Sequence, residues 1–245
     1  MRLMRVELFI QTASILLAAL PLLIHFAINS TKLPSTEEDP VVSESSSPDR
    51  ASQSPAIPFA GTDLDQVLQT NRCQGCNLAG VDLSDKDLSR VNLAQANLMQ
   101  ANFISTELIN AIFTDAHLHQ ANLTQAHLYG ADLKKADLRS ANLSEANLMF
   151  ASLAEADLRD ATLEKAELRD ADLTYTNLTN ANLKGASLYG TLLQGADLSG
   201  ADLSGADLRY ANLSGANLQG TNLSNARLDF AIMPNSVGYT GERQY

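Results

Sequence analysis

From Leu78 onward an apolar residue returns at every fifth position: Leu78, Leu83, Leu88, Leu93, Leu98, Phe103 and so on to Leu228 and Met233. The register holds over 32 consecutive positions, of which 29 are Leu, two are Phe (Phe103 and Phe113) and one is Met. Two residues before each of these stands Ala in 24 of the 32 units, and the residue between them is Asn or Asp in 21. The unit is A-(D/N)-L-x-x, plainest over residues 196–218. On an α-helix a five-residue step turns about 140°, which scatters the leucines around the axis. On a flat strand an odd step sends alternate leucines to opposite faces. A chain that bends by the same angle every five residues keeps them all inside. The central apolar position and the alanine position then point inward, the Asn/Asp position points outward, and the last two residues turn the corner. Small polar residues and Gly suit those corners.

These units closely resemble the pentapeptide repeat family, and the resemblance covers residues 76–233. It implies an all-β fold, a right-handed quadrilateral parallel β-helix in which four units make one coil. Coils stacked at about 4.8 Å would give eight coils and a rod of roughly 40 Å. Residues i and i+20 should then stack on one side, so that Leu78, Leu98, Leu118 and Leu138 form a ladder. Phe103 and Phe113 should face each other across a single coil as core packing.

Residues 61–75 precede the repeat. Within them, residues 62–69 read as a short helix with Thr62 or Asp63 as N-cap, placed to cover the first coil. After Met233 the tail, residues 234–245, opens with Pro234 and is placed to cover the other end. Uncovered coil ends carry unpaired backbone groups and offer a site for homodimerisation.

The N-terminal third has a different pattern. Residues 8–28 contain no acidic residue, Lys or Arg over 21 positions, enough for one membrane-spanning helix of roughly 20 residues. Arg2 and Arg5 precede the run, and Glu37, Glu38 and Asp39 follow it. The positive-inside bias therefore places the body of the chain outside the cytoplasm. Residues 1–30 are expected to anchor the chain, and a cleaved signal peptide is the competing reading; either one exports the body. Residues 31–60 hold five of the seven prolines and many serines, the composition of a flexible tether. Resemblance to exported cyanobacterial proteins of the same family implies that the far side is the periplasm or the thylakoid lumen.

Composition removes several classes of function. The formal net charge is −11, which disfavours direct binding to nucleic acid. There is no Trp and only 5% of residues are aromatic, consistent with a core of small aliphatic pieces. The carboxylates follow the repeat rather than any catalytic pairing. No Ser-His-Asp set, phosphate loop or nucleotide fingerprint is present, so neither catalytic residues nor a cofactor is expected.

Cys73 and Cys76 form the one candidate motif, Cys73-Gln74-Gly75-Cys76. A C-x-x-C pair can be a disulfide, two buried thiols, a redox couple or half a zinc site. Zinc would need further ligands, and His117, His119 and His127 lie about two coils away, with His117 and His127 on opposite sides. No metal site is therefore expected. Similar cyanobacterial pentapeptide repeat proteins often carry such a motif just before the solenoid.

Two functions follow as expectations. The first is a non-enzymatic scaffold that presents a rigid rod to a protein partner outside the cytoplasm. The alternative, implied by the resemblance, is an acidic rod that mimics DNA and binds a type II topoisomerase.

Overall fold

The computed structural model describes residues 62–234. Contacts divide the chain into Met1–Pro55 and Ala56–Tyr245, and the fold below belongs to the second unit. The expected membrane span and the tether lie outside the described residues, as does the tail from residue 235. Among the described residues no helix is long and apolar enough to cross a membrane.

The rod is built from single-residue parallel bridges between positions twenty apart, running from Arg72–Asn92 to Asn212–Ile232. Each rung is held on both sides: the Leu78 N–H donates to the Asn97 carbonyl at 2.7 Å, and the Asn97 N–H donates to the Cys76 carbonyl at 2.8 Å. Corners interrupt every extended stretch after three residues, so no run reaches the length of a conventional strand. Four ladders result. The first side carries Leu78 and Leu98, the second Leu83 and Phe103, the third Leu88 and Leu108, and the fourth Cys73, Leu93 and Phe113.

Nearly all central residues are fully buried, and the alanine positions line the wall between them. Phe103 and Phe113 come from opposite sides and meet edge-on, with ring centroids 6.0 Å apart and planes at 88°. Threonine replaces alanine at three buried positions without leaving a hydroxyl unpaired. Thr106, Thr176 and Thr191 donate to the carbonyls of Leu83, Leu153 and Leu168 at 2.8–2.9 Å. Lys86 occupies an alanine position in the first coil, yet it is exposed.

The Asn/Asp preference has a direct cause. The side-chain oxygen of this residue accepts from the backbone N–H two positions on, as in Asp82 with Ser84 (3.1 Å) and Asn142 with Ser144 (3.1 Å). That bond turns the chain into the corner. The corner closes through a bond such as the Val81 N–H to the Leu78 carbonyl, 3.3 Å. The second corner residue is left-handed, with φ between 53° and 72° at all 32 described corners. Ten of these are Gly and 22 are not. A side chain there costs about 1–2 kcal/mol, offset in part by the entropy that Gly loses on folding. Gln95→Gly (φ 60°) is therefore expected to raise stability by about 0.5–1 kcal/mol, read as a higher Tm in thermal unfolding.

At the N-terminal end, α1 spans Asp63–Thr70 with Thr62 as N-cap. Thr62 and Asp65 form a reciprocal capping box, and Asn71 ends the helix in a left-handed conformation. Val67 is wholly buried against the first coil. Asp63 reaches across to accept from the Asn77 N–H at 2.7 Å, and the Gln66 side chain donates to the Arg72 carbonyl at 2.9 Å. At the other end, Leu218 and Leu223 are only partly buried, and no coil lies beyond them among the described residues.

Candidate interaction surface

The ladder begins one unit before the first leucine. Cys73 occupies a central position: it is fully buried and its N–H donates to the Asn92 carbonyl at 2.8 Å, as a leucine in that place would. Cys76 occupies the alanine position of the next unit. The two are joined in a disulfide across one corner, with Cα atoms 5.3 Å apart. This corner lies directly under α1, at the end of the rod where the chain arrives from the N-terminus.

The histidines stand apart from the cysteines. His117 bridges Asn97 and Asp137 on the first side, whereas His127 bridges Glu107 and Asn147 on the third. His127 pairs with Glu107 at 2.9 Å. Among the described residues no group of three or more His, Cys, Asp or Glu is placed to hold a metal ion.

The carboxylates serve the corners and the arginines beside them. Asp137 accepts from Nε and a terminal nitrogen of Arg139 at 2.7 and 2.6 Å. Asp207 does the same with Arg209 at 2.8 and 2.7 Å. These hydrogen bonds hold both carboxyls below the usual carboxylate range. At Asp157 burial works in the opposite direction, but the bonds from Arg159 leave it lowered as well. Asp82, Asp87 and Asp197 are lowered by the serines two residues on, and Asp202 by the backbone N–H and then the hydroxyl of Ser204.

A depressed folded-state value stabilises the fold fully above the unfolded-state value of about 3.9, and that contribution disappears as pH falls through the lower folded values. The Tm should therefore be flat from about pH 5 upward and fall once the pH drops below about 4. Circular dichroism melts across that range test this.

The concave features are shallow. A groove of about 590 Å³ at the N-terminal end is lined by Arg72, Arg90, Asn92, Ile109 and Asn110 among others. A second, of about 420 Å³, is lined by Arg169, Ser187, Tyr189, Asp207 and Arg209. Both lie along the corner after the third side, the first reaching onto both flanking sides and the second onto the third. Neither brings together a nucleophile, a base and an oxyanion donor.

That corner carries the feature the five-residue pattern did not reveal. Among the described residues eleven large apolar residues are exposed, and nine of them lie on the fourth side or at its two corners. The exceptions are Leu68 and Met99. Along the corner, Tyr129 packs on Phe150, Tyr189 on Tyr210, and Tyr210 on Phe230, with centroids 4.9–5.4 Å apart. Arg209 lies over the Tyr189 ring at 5.4 Å. A twenty-residue reading of the sequence would have aligned these residues, because they recur at fixed places in the coil rather than in the unit.

The repeated units match the family model described as Pentapeptide repeats, in eight copies, over residues 76–115, 111–149, 151–188 and 186–225. The chain belongs to the pentapeptide repeat family. The expected right-handed β-helix is thereby confirmed for this rod, and pentapeptide repeat proteins are in general structural or interaction scaffolds. HetL, a pentapeptide repeat protein involved in heterocyst differentiation regulation in the cyanobacterium Nostoc sp. strain PCC 7120, is 32% identical. The match covers 66% of this chain and 91% of HetL, with a TM-score of 0.24. A trypsin-treated form of QnrB1, a plasmid-mediated fluoroquinolone resistance protein, is 20% identical over 64% of this chain and 85% of its own, with a TM-score of 0.52. That second likeness concerns the fold. No functionally curated protein matches the chain.

Proposed function

We propose that the protein is a non-enzymatic interaction scaffold, a rigid pentapeptide repeat rod held at a membrane by residues 8–28 with the rod outside the cytoplasm. The observation that carries the scaffold reading is the distribution of surface chemistry on an unbroken rod. One side and its two corners carry nine exposed large apolar residues, and the outward positions of the first two sides are almost all Asn and Asp. Such a surface offers flat, preformed area to a protein and little to a small substrate, which needs an enclosed and mostly apolar cleft.

Two observations support the placement. Arg2 and Arg5 stand before the apolar run and acidic residues after it. The Cys73–Cys76 disulfide is of a kind that persists in oxidising compartments and is rare in the cytosol.

The experiment is protease accessibility of the rod in sealed, right-side-out membrane vesicles, with alkylation trapping of the cysteines in the same sample. Digestion from outside with both cysteines resistant to alkylation is the expected result. A rod protected until detergent is added, with free thiols, would overturn the placement.

That outcome would favour a second reading, an acidic rod that mimics DNA and occupies a type II topoisomerase. Its support is the acidic surface outside the apolar side. Inhibition of DNA gyrase supercoiling by the purified protein is its assay.

A further inference from the structure

The exposed apolar residues and the charges divide between the same two parts of the rod. Consider the band formed by the corner after the third side together with the fourth side. It carries four basic residues (Arg72, Arg90, Arg169 and Arg209) and four acidic ones (Asp132, Asp170, Asp172 and Asp229). The rest of the described rod carries 17 acidic and eight basic residues, a net of −9 against zero for the band. The nine exposed large apolar residues lie on the near-neutral band and its far corner.

We infer that this band is a self-complementary interface, and that two copies of the chain pack along it side by side and antiparallel. Its size fits. Eight coils give roughly 38 Å of length, and one side with its corner is about 15–20 Å wide, so each copy offers about 600–750 Å². A standard stable interface takes about 800 Å² from each partner. Every other side carries a net negative charge, so self-association there would be opposed by repulsion.

The order of residues along the band selects the orientation. The tracts 109–114, 149–154 and 189–194 contain no charged residue and alternate with tracts that do. A two-fold axis through residues 149–154 lays that tract on itself and lays 109–114 on 189–194. Ile109 and Ile112 then meet Tyr189 and Leu192 of the second copy, and Phe150 meets its own equivalent. The same operation sets the tract holding Asp132 against the tract holding Arg169, Asp170 and Asp172, and the tract of Arg72 against that of Asp229. Two like-charged meetings remain, Asp132 with Asp172 and Arg90 with Arg209, the second relieved by Asp207, which holds Arg209 at 2.7 Å. A parallel pair would set every charged residue of the band against its own equivalent, and like charges in apposition are costly.

This inference does not rest on the membrane placement. Sedimentation equilibrium of the full chain in a density-matched neutral detergent should show a dimer of roughly micromolar dissociation constant. Added salt should tighten it, because screening reduces the repulsion between two acidic rods. Phe150→Glu sets two carboxylates together at the axis and should weaken the dimer at least about tenfold without lowering the Tm. Met99→Glu, off the band, should leave it unchanged. Met149→Cys should cross-link to its own equivalent, whereas Ile109→Cys should cross-link only when mixed with Tyr189→Cys. A dimer indifferent to Phe150→Glu, as association through the coil ends would be, overturns the inference. So does a monomer at all concentrations, including one that uses the same band to co-sediment with phosphatidylglycerol vesicles.

Discussion

Leu148→Asp should abolish cooperative folding of the rod, whereas Asn147→Asp one residue earlier should leave it unchanged. Leu148 is fully buried near mid-rod, and Asn147 points outward, its side-chain oxygen accepting from the Met149 N–H at 3.2 Å. An aspartate at 147 can accept the same bond. At 148 the apolar contacts are lost, which alone costs about 2–5 kcal/mol for a leucine truncated to alanine. A carboxylate is also left in a core with no partner, and such a group adds several kcal/mol or must take up a proton. The sum approaches the whole stability of an ordinary domain, about 5–15 kcal/mol. Because each coil touches only its neighbours, the loss cannot be spread over a globular core. It divides the rod into two short stacks with a new pair of open ends. Thermal melts by circular dichroism, with limited proteolysis mapped by mass spectrometry, provide the test. Leu148→Ala should shift the midpoint and keep a single transition. Leu148→Asp should lose the transition and be cut near the substitution, and a wild-type melt for it would show that the central ladder does not carry the fold.

The period of five makes the body of the rod legible in the residues alone. It places Leu148 inside, Asn147 outside, and Phe103 opposite Phe113, because each follows from counting in units of five and twenty. The capping helix is legible too, since Thr62 and Asp65 are a local signal that needs no tertiary context. What the count of five could not show was the role of Cys73. Cysteine fits the leucine position by size and burial, but only the hydrogen bond to Asn92 reveals that the ladder has already begun. The apolar band was hidden for a related reason. Tyr129, Phe150 and Ile112 each look like an isolated exception within their own unit, and only stacking at the coil period brings them to one side. Lys86 marks the limit of the pattern. The same alanine position that is closed in the middle of the rod is open in the first coil, where the neighbour on one side is α1 rather than another coil.

The end of the rod should respond to a comparable insult differently. Val67→Asp places a carboxylate at the fully buried contact between α1 and the first coil. The energetic injury resembles that at Leu148, but its reach is shorter. Displacing α1 removes the bonds from Gln66 to the Arg72 carbonyl and from the Asn77 N–H to Asp63, and leaves the coils beyond the first with all their rungs. A stack with nearest-neighbour coupling opens from its end, so the expected loss is local. Hydrogen exchange should show backbone protection falling across residues 62–80 and held near the wild-type level from about the third coil onward. The global Tm should drop far less than for Leu148→Asp. The uncovered coil would also present unpaired backbone groups and buried apolar surface, so the variant should form higher oligomers in light scattering that wild-type protein does not. Protection lost along the whole rod would show that α1 sustains the entire fold rather than closing one end of it.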